Sequence, residues 1–468
     1  MLKSPGAVLL ISCYDLGRQP LALASPLALL EQGGFRPAAL DLAAEALRPE
    51  AIRRARLIAI SVPMHTALRL GVRAAAQIRK LNPGCHICYY GSYASLNATS
   101  LLADHGADSI IGGEFEEPLL RLAESIDDGA PPPRGVRTAA TPEPPWLERI
   151  LFAVPSRAAL PPLDRYARLE HEGETRIAGQ VEATRGCLHR CRHCPLPPVY
   201  GGRFFVVPRD IVLGDIRNQV SAGATHITFA DADFLNGPGH VFDIVAAMHD
   251  AFPALTFDFT AKVTHLLQHH ARLPELARLG CLFIVTAVES LSPTVLKILD
   301  KGHTAGDVLQ LLGHTRRAGI ALRPSLLPFT PWSGLHDYRQ LLDFIAEEDL
   351  IDHIDPVQLS IRLLIPPGSL LAARTELKPF LGPIDQQRFT YTWSHADPRV
   401  DRLQQEVSAL VEEAAGSAED PRITFVRIGR LADAITTGRS IDTDAGPLPD
   451  PVPHDRGRPP RLTEPWFC

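Results

Sequence analysis

Twice along this chain, short apolar runs alternate with longer amphipathic segments, and that double alternation restricts the fold more than any other feature. In the first stretch, strand-like runs at residues 7–12, 36–40, 57–62, 86–90 and 109–111 are separated by helix-like runs at 21–32 and 66–81 and closed by one at 117–125. The first two helical runs stop at Gly33-Gly34 and at Asn82-Pro83-Gly84. Such spacing predicts right-handed βαβ units and an N-terminal doubly wound parallel sheet of Rossmann-like type. The pattern then repeats. Strand-like runs at 180–184, 226–230, 256–261, 282–287, 320–326 and 356–363 are joined by helix-like runs at 208–222, 241–251, 265–279, 292–299 and 306–318. Six β/α repeats predict a partial TIM-type (β/α)6 barrel with its chemistry on the loops that follow the strands. The fold class is α/β throughout.

Boundaries follow from composition. Residues 1–126 form the first unit and residues 179–369 the barrel. Between them, 127–178 reads as a linker and connector, with Pro- and Gly-rich stretches at 127–145 and 155–163. Residues 370–468 are a C-terminal extension. It contains one amphipathic helix, with Leu403, Val407, Leu410 and Val411 on a face and Pro398 near its start. The stretch 442–460 reads as disordered or loosely draped. At about 150 residues per domain, 468 residues fit this division. A net charge of −6 offers no basic field for non-specific nucleic-acid binding. No apolar run reaches the ~18 residues of a membrane span, and no targeting segment is evident, so a reducing cytoplasm is expected. Eight cysteines are too sparse for a disulfide scaffold.

Three of those cysteines are concentrated in Cys187-Leu-His-Arg-Cys191-Arg-His-Cys194, directly after the first strand of the second unit. Three thiolates on one short loop can hold three irons of a 4Fe-4S cluster, whereas most such clusters take four cysteines. The missing fourth ligand leaves one iron for a substrate or cofactor. A zinc site is the competing reading, with His189 and His193 as the nearby extra ligands.

The spacing, its place after a first strand and the six repeats together resemble the radical S-adenosylmethionine (SAM) enzymes. That resemblance implies a 4Fe-4S cluster on Cys187, Cys191 and Cys194, with SAM chelated to the open iron. An electron from the cluster then cleaves the sulfonium, and a 5′-deoxyadenosyl radical abstracts hydrogen from substrate. His193 stands where relatives usually carry an aromatic residue. Asp231 and Asp233 follow the second strand, where relatives hold the methionyl amino group; solvated capping carboxylates are the equal alternative. Ala287-Val-Glu289-Ser290 resembles a GxES segment that touches SAM in relatives. Arg323 is in position to face the SAM carboxylate or to make a structural salt bridge. Lys301-Gly302-His303-Thr304 resembles a KGHT stretch of cobalamin-associated members. Gly201-Gly202-Arg203 is expected to pack the cysteine loop back onto the barrel.

The first unit resembles the cobalamin-binding domain that precedes many radical SAM barrels, through Ser61-Val-Pro-Met-His65, Tyr90-Gly-Ser-Tyr-Ala94 and Asp108-Ser-Ile-Ile-Gly112-Gly113-Glu114. Gly91, Gly112 and Gly113 suit close approach of backbone to a corrin. The cobalt-ligating DxHxxG motif is absent, so a structural or substrate-presenting role stands beside cobalamin binding. Cys85 and Cys88 flank a strand and read as buried thiols, as do Cys13 and Cys281.

The ending from Pro460 to Cys468 resembles the radical SAM group named for its CUAEP or CCAEP tail. The chain stops at the first cysteine of that pattern, so the expectation is a selenocysteine codon read as a stop after Cys468. The alternative is a hydrophobic end docked on the barrel. The resulting expectation is a radical SAM enzyme acting on a small-molecule or peptide substrate, with an electron donor such as flavodoxin or ferredoxin. Cobalamin-dependent methyl transfer is one reaction open to it. A non-catalytic Fe–S electron carrier or redox sensor is the alternative. No catalytic residue is assigned by the sequence.

Overall fold

The computed structural model describes residues 2–148, 151–438 and 457–464. Runs rich in Val, Leu and Ile with both faces covered form the first sheet: β1 (Val8–Ser12), β2 (Ala38–Asp41), β3 (Leu57–Ser61), β4 (His86–Tyr90) and β5 (Ser109–Ile111). These five are parallel, in the order β2-β1-β3-β4-β5. Helices Leu21–Gln32 and Glu116–Asp128 cover one face, and helix His65–Leu81 covers the other. The strand order reverses between β1 and β3, and a doubly wound sheet opens its ligand crevice at the carboxyl ends there.

The first sheet does not stop at residue 126. A sixth strand, β6 (Val136–Arg137), pairs antiparallel with β5, and Trp146 bridges to Gly113. Both Val136 and Trp146 are buried. Apolar anchors inside a Pro- and Gly-rich stretch have thus found the sheet edge. The barrel likewise begins before residue 179, with an antiparallel hairpin of β7 (Arg168–His171) and β8 (Glu174–Val181). Arg157 of the connector joins the two bodies. Its guanidinium donates to both Asp215 oxygens (2.8 and 2.7 Å), to Gln19 Oε1 (2.9 Å) and to the Gln180 carbonyl (2.7 Å).

Where one strand was expected at 180–184, the chain breaks after β8 and forms β9 (Thr184–Gly186). This pairs with β10 (Phe204–Val206), so the cysteine loop hangs from a small ribbon of its own. The barrel sheet continues through β11 (His226–Phe229), β12 (Thr256–Thr260), β13 (Cys281–Glu289) and β14 (Ala321–Leu326), parallel to β8. The sixth expected strand is replaced by a 3-10 turn at Pro356–Ser360 and a single bridge between Phe329 and Arg362. Pro356 has no N–H for a ladder, and Gln358 instead accepts from the Leu326 N–H at 3.1 Å. Five parallel strands therefore make an open half-barrel.

In the extension, β15 (Leu381–Asp385) and β16 (Thr390–Trp393) form a hairpin that plants Phe389 in the core of the first sheet, 4.9 Å from His105. Helix Pro398–Gly416 buries Val400, Leu403, Val407 and Val411, while Leu410 is half-buried. A second helix, Pro421–Thr437, packs beside it and was not expected. Its signal was Asp420-Pro421, an N-cap followed by proline at N1, and the spacing of Thr424, Ile428, Leu431 and Ile435. Lastly, β17 (Arg461–Leu462) pairs with β7, and Tyr14 donates to Glu464 at 3.1 Å. Residues 442–456 and 465–468, including Cys468, lie outside the described residues.

Candidate functional site

The carboxyl ends of the barrel strands assemble the site. Asp231, after β11, accepts from the Ala183 N–H (3.0 Å), the Thr184 N–H (2.6 Å) and the Thr184 hydroxyl (2.6 Å). Burial pushes its pKa up to about 6, against those hydrogen bonds. This carboxylate fixes the turn into β9 and has little capacity left for a cofactor. Gly186 follows at φ +77°, and a Cβ there would lie 2.6 Å from the Arg203 carbonyl, so only glycine lets the loop leave the ribbon.

The cysteine loop is fastened at both ends. Asn236 Oδ1 accepts from the Leu188 N–H at 3.3 Å and lies 4.0 Å from Cys187 Sγ. At the other end the Arg192 N–H reaches the Leu299 carbonyl (3.0 Å), and its guanidinium reaches the carbonyls of Lys297 (3.2 Å) and Ile298 (2.9 Å). Arg190 donates to the Gly201 carbonyl at 2.9 Å, which ties Gly201-Gly202 to the loop. Burial pushes the Cys187 thiol up to about 11 and Cys194 to about 12. A single tetrahedral zinc, with Zn–S near 2.3 Å, would gather its thiolates to roughly 3.8 Å. A cubane instead spreads its ligands over separate irons. Cys281 starts β13, at the opposite end of the strand, and is buried, so it is no fourth ligand. Cys13, Cys85 and Cys88 are buried free thiols of the first body.

Glu289 ends β13 at φ +65°, just past an irregularity in the pairing with β14. Its Oε1 lies 3.1 Å from His193 Nε2 and 3.2 Å from Lys301 Nζ. Burial opposes its ionisation, but Lys301 and then His193 outweigh burial and hold the carboxyl well below the usual range. The KGHT stretch is therefore tucked under the end of β13: Lys301 pairs with Glu289, and His303 Nε2 meets the Val288 carbonyl at 3.2 Å. Ser290 Oγ accepts from the Ser292 N–H at 3.1 Å and shapes the turn. Arg323 donates to Asp355 at 3.0 Å, leaving its Nη1 without a hydrogen-bond partner among the described residues. Changing Lys301 to methionine strands a buried carboxylate, at a cost of about 2 kcal/mol at neutral pH. Glu289 has a folded pKa below its unfolded value, so its contribution is present above about pH 4.5 and lost on acidification below that. In the variant burial raises that pKa instead. Thermal melts should then show the gap from wild type widest at pH 7–8 and shrinking toward pH 4.5; an equal gap at every pH would contradict the pairing.

Above the barrel lies a cavity of about 230 Å³ shared by both bodies. Asp15, Ser61, Gly91 and Gly113 line it from the carboxyl ends of the first sheet, and Gln180, Glu182 and Thr184 from the barrel. Gly112 does not line it. The space for a Cβ is filled by protein at all three glycines: Val62 O at 3.2 Å for Gly91, Ser95 Oγ at 2.7 Å for Gly112 and Trp146 O at 2.4 Å for Gly113. Their smallness serves the backbone of the fold. His65 meets the Arg388 carbonyl at 2.5 Å, at the tip of the extension hairpin.

Beside the cavity, sequence reasoning missed a buried cluster. Arg185 reaches Glu114 (3.0 Å), Glu116 (2.5 Å) and Glu182, with the rings of Phe115 and Phe152 at 5.6 and 5.3 Å. Tyr200 donates to Glu114 at 3.0 Å. Burial pushes Glu182 up to about 8 and Asp15 up to about 6. The one local signal was an arginine set next to Gly186-Cys187. The structure also sets Asp233 beside His189 and His265, the last of which had no sequence signal.

The family profile described as the Radical SAM superfamily matches residues 181–344. The chain is 30% identical over 211 residues to ribosomal protein uS12 methylthiotransferase RimO of Desulfosudis oleivorans, covering 41% of this chain and 46% of that protein. It is 27% identical over 245 residues to bacteriochlorophyllide d C-12(1)-methyltransferase of Chlorobaculum tepidum, covering 50% and 47%. The chain thus spans about half the length of these curated relatives. Among solved structures, OxsB with aqua-cobalamin and SAM bound superposes with a TM-score of 0.70 at 16% identity, covering 93% of this chain and 71% of that one. TsrM from Kitasatospora setae, with tryptophan and aza-SAM bound, superposes at 0.60 and 20% identity, covering 73% and 71%.

Proposed function

We propose that this chain, whose residues 181–344 form a radical SAM domain, is an enzyme that holds a 4Fe-4S cluster on Cys187, Cys191 and Cys194 and binds SAM at the remaining iron. Bound there, cluster and SAM supply reductive cleavage of the sulfonium and hydrogen abstraction from a substrate. One observation carries the reading: a three-thiol loop, without a fourth cysteine beside it among the described residues, opens at the carboxyl ends of a half-barrel under a cavity shared with a second sheet. The protein's own part is positional. Asp231 and Asn236 set the take-off of the loop, and Arg192 clamps its end. Gln180 Oε1 is buried without a hydrogen-bond partner and belongs to a cavity-lining residue, an acceptor that suits a hydroxyl or ammonium of SAM. Glu182, whose pKa burial pushes up to about 8, lies on the same wall.

Cobalamin-dependent methyl transfer is a second reading, favoured by the position of the cavity at the carboxyl ends of β1, β3, β4 and β5. At about 230 Å³ the cavity is below the ~300–1,000 Å³ of ordinary ligand pockets. No step is therefore routed through a corrin. Anaerobically reconstituted protein given SAM and dithionite should release 5′-deoxyadenosine. Full iron loading without release would favour an electron carrier or redox sensor. A visible spectrum of the protein purified from cobalamin-fed cells tests for the corrin, and its absence would sink the methyl-transfer reading. The substrate is proposed to be a small molecule or peptide, with a flavodoxin or ferredoxin supplying electrons.

A further inference from the structure

Three side chains from three different elements converge next to the cysteine loop: His189 of the loop itself, Asp233 after β11, and His265 of helix Val263–Gln268. One ligand atom from each lies within 4.8 Å of the others. His189 Nε2 is 3.2 Å and His265 Nδ1 is 2.9 Å from the same atom, Asp233 Oδ2, and the two rings are 4.4 Å apart. Asp233 is held rigidly from behind. Its Oδ1 accepts from the Leu235 N–H at 3.0 Å, and Oδ2 lies 3.3 Å from the Lys262 N–H. The carboxylate is 2% exposed, yet both histidines keep an edge open to solvent, at 21% and 15%.

Both imidazoles stand at hydrogen-bond distance from one carboxylate oxygen, and the same three atoms are placed to share a cation. Against its burial, the two imidazoles hold the Asp233 carboxyl below its usual range, but neither ring plane aims its nitrogen squarely at the oxygen it faces. An N–H aimed at the carboxylate would lie along the N···O line. Buried polar nitrogens left unpaired are costly. A cation set among the three atoms would accept a lone pair from each and remove that cost. Two imidazoles and one carboxylate suit divalent first-row transition metals, and three protein ligands leave coordination positions open.

We infer that His189, Asp233 and His265 bind a divalent first-row transition-metal ion at a site separate from the three-cysteine loop. The ion would hold an oxygen or nitrogen donor of a substrate in its open positions. This assignment does not depend on the radical reading, and it takes Asp233 away from direct contact with SAM. His189 lies two residues from Cys187, so occupancy of the site would also brace the start of the cysteine loop.

Equilibrium dialysis of the full chain, cluster-reconstituted and then freed of loose metal, against CoCl2 tests the site. Wild type should retain one cobalt per chain in addition to its cluster iron. His265→Ala should bind cobalt at least tenfold more weakly at unchanged iron and sulfide content. His265→Asp, which restores a ligand, should recover most of the binding. Absence of cobalt uptake by wild type, or equal uptake by His265→Ala, would overturn the proposal. Loss of cluster iron together with cobalt in His265→Ala would also overturn it, by making His265 a support of the cysteine loop. 5′-Deoxyadenosine release is read separately, so failure of this site and failure of the radical reading are distinguishable.

Discussion

Changing Cys191 to alanine is expected to abolish the iron–sulfur absorbance and the release of 5′-deoxyadenosine together, while leaving the fold intact. Cys191 is the middle of the three proposed ligands and is buried. The next residue is hydrogen-bonded to the Leu299 carbonyl, so the backbone beside Cys191 is anchored and cannot shift to offer a replacement donor. The other described cysteines lie elsewhere: Cys281 starts β13 at its far end, and Cys13, Cys85 and Cys88 belong to the first body. Two thiolates cannot hold three irons, so iron content should fall to background and SAM cleavage below detection. Far-UV circular dichroism should be unchanged, since removing one small sulfur from a loop exposes little core. Cys281→Ala is the matched control: it should keep its iron and its turnover and lose only about 1 kcal/mol of stability for the small void. Four irons and undiminished cleavage in the Cys191 variant would refute the ligand assignment. Stoichiometric zinc in the wild type would refute the cluster itself.

The parts of this molecule that could be read from the sequence are those whose cause is local. Parallel strands buried on both faces must be continuous apolar runs, and so β1, β3, β4 and β5 fell within a residue or two of their expected bounds. The cysteine loop is likewise local, because eight consecutive residues carry all three of its thiols. Alternation misled at 356–363. There Val357, Leu359, Ile361 and Leu363 keep a two-residue period, but Pro356 and the Gln358 side chain turn the segment into a 3-10 helix. What stayed hidden depends on long-range meetings. Arg185 and Glu114 are 71 residues apart, and Glu289 and Lys301 were each visible in their motifs while their pairing was not. His265 sits on a short helix whose pattern reports only its apolar face; its meeting with His189 and Asp233 is a property of the assembled half-barrel.

Changing Arg185 to methionine is expected to cost about 3–5 kcal/mol, because it leaves buried carboxylates without their cation. Arg185 is 9% exposed in its side chain, and Glu114 and Glu116 are 2% and 4% exposed. These glutamates come from the end of the first sheet, and Arg185 comes from the ribbon that holds the cysteine loop, so the loss falls on the contact between the two bodies. One arginine among three carboxylates is also short of positive charge. Burial raises Glu114, and Glu182 is pushed up to about 8. A carboxyl with a folded pKa above its unfolded value binds more protons folded than unfolded. Its contribution is therefore complete below about pH 4.5 and declines as pH rises to about 8. Wild type should accordingly lose stability across that window. Without Arg185, Glu114 and Glu182 are raised further, so the variant should be weakest at pH 8 and recover much of its deficit near pH 5. Urea unfolding of both proteins at the two values measures this directly. Adding Glu116→Gln to Arg185→Met removes one stranded charge and should restore part of the loss at pH 8. A deficit that is the same at both pH values and indifferent to Glu116→Gln would mean that the packing of the guanidinium between Phe115 and Phe152, not its charge, holds the bodies together.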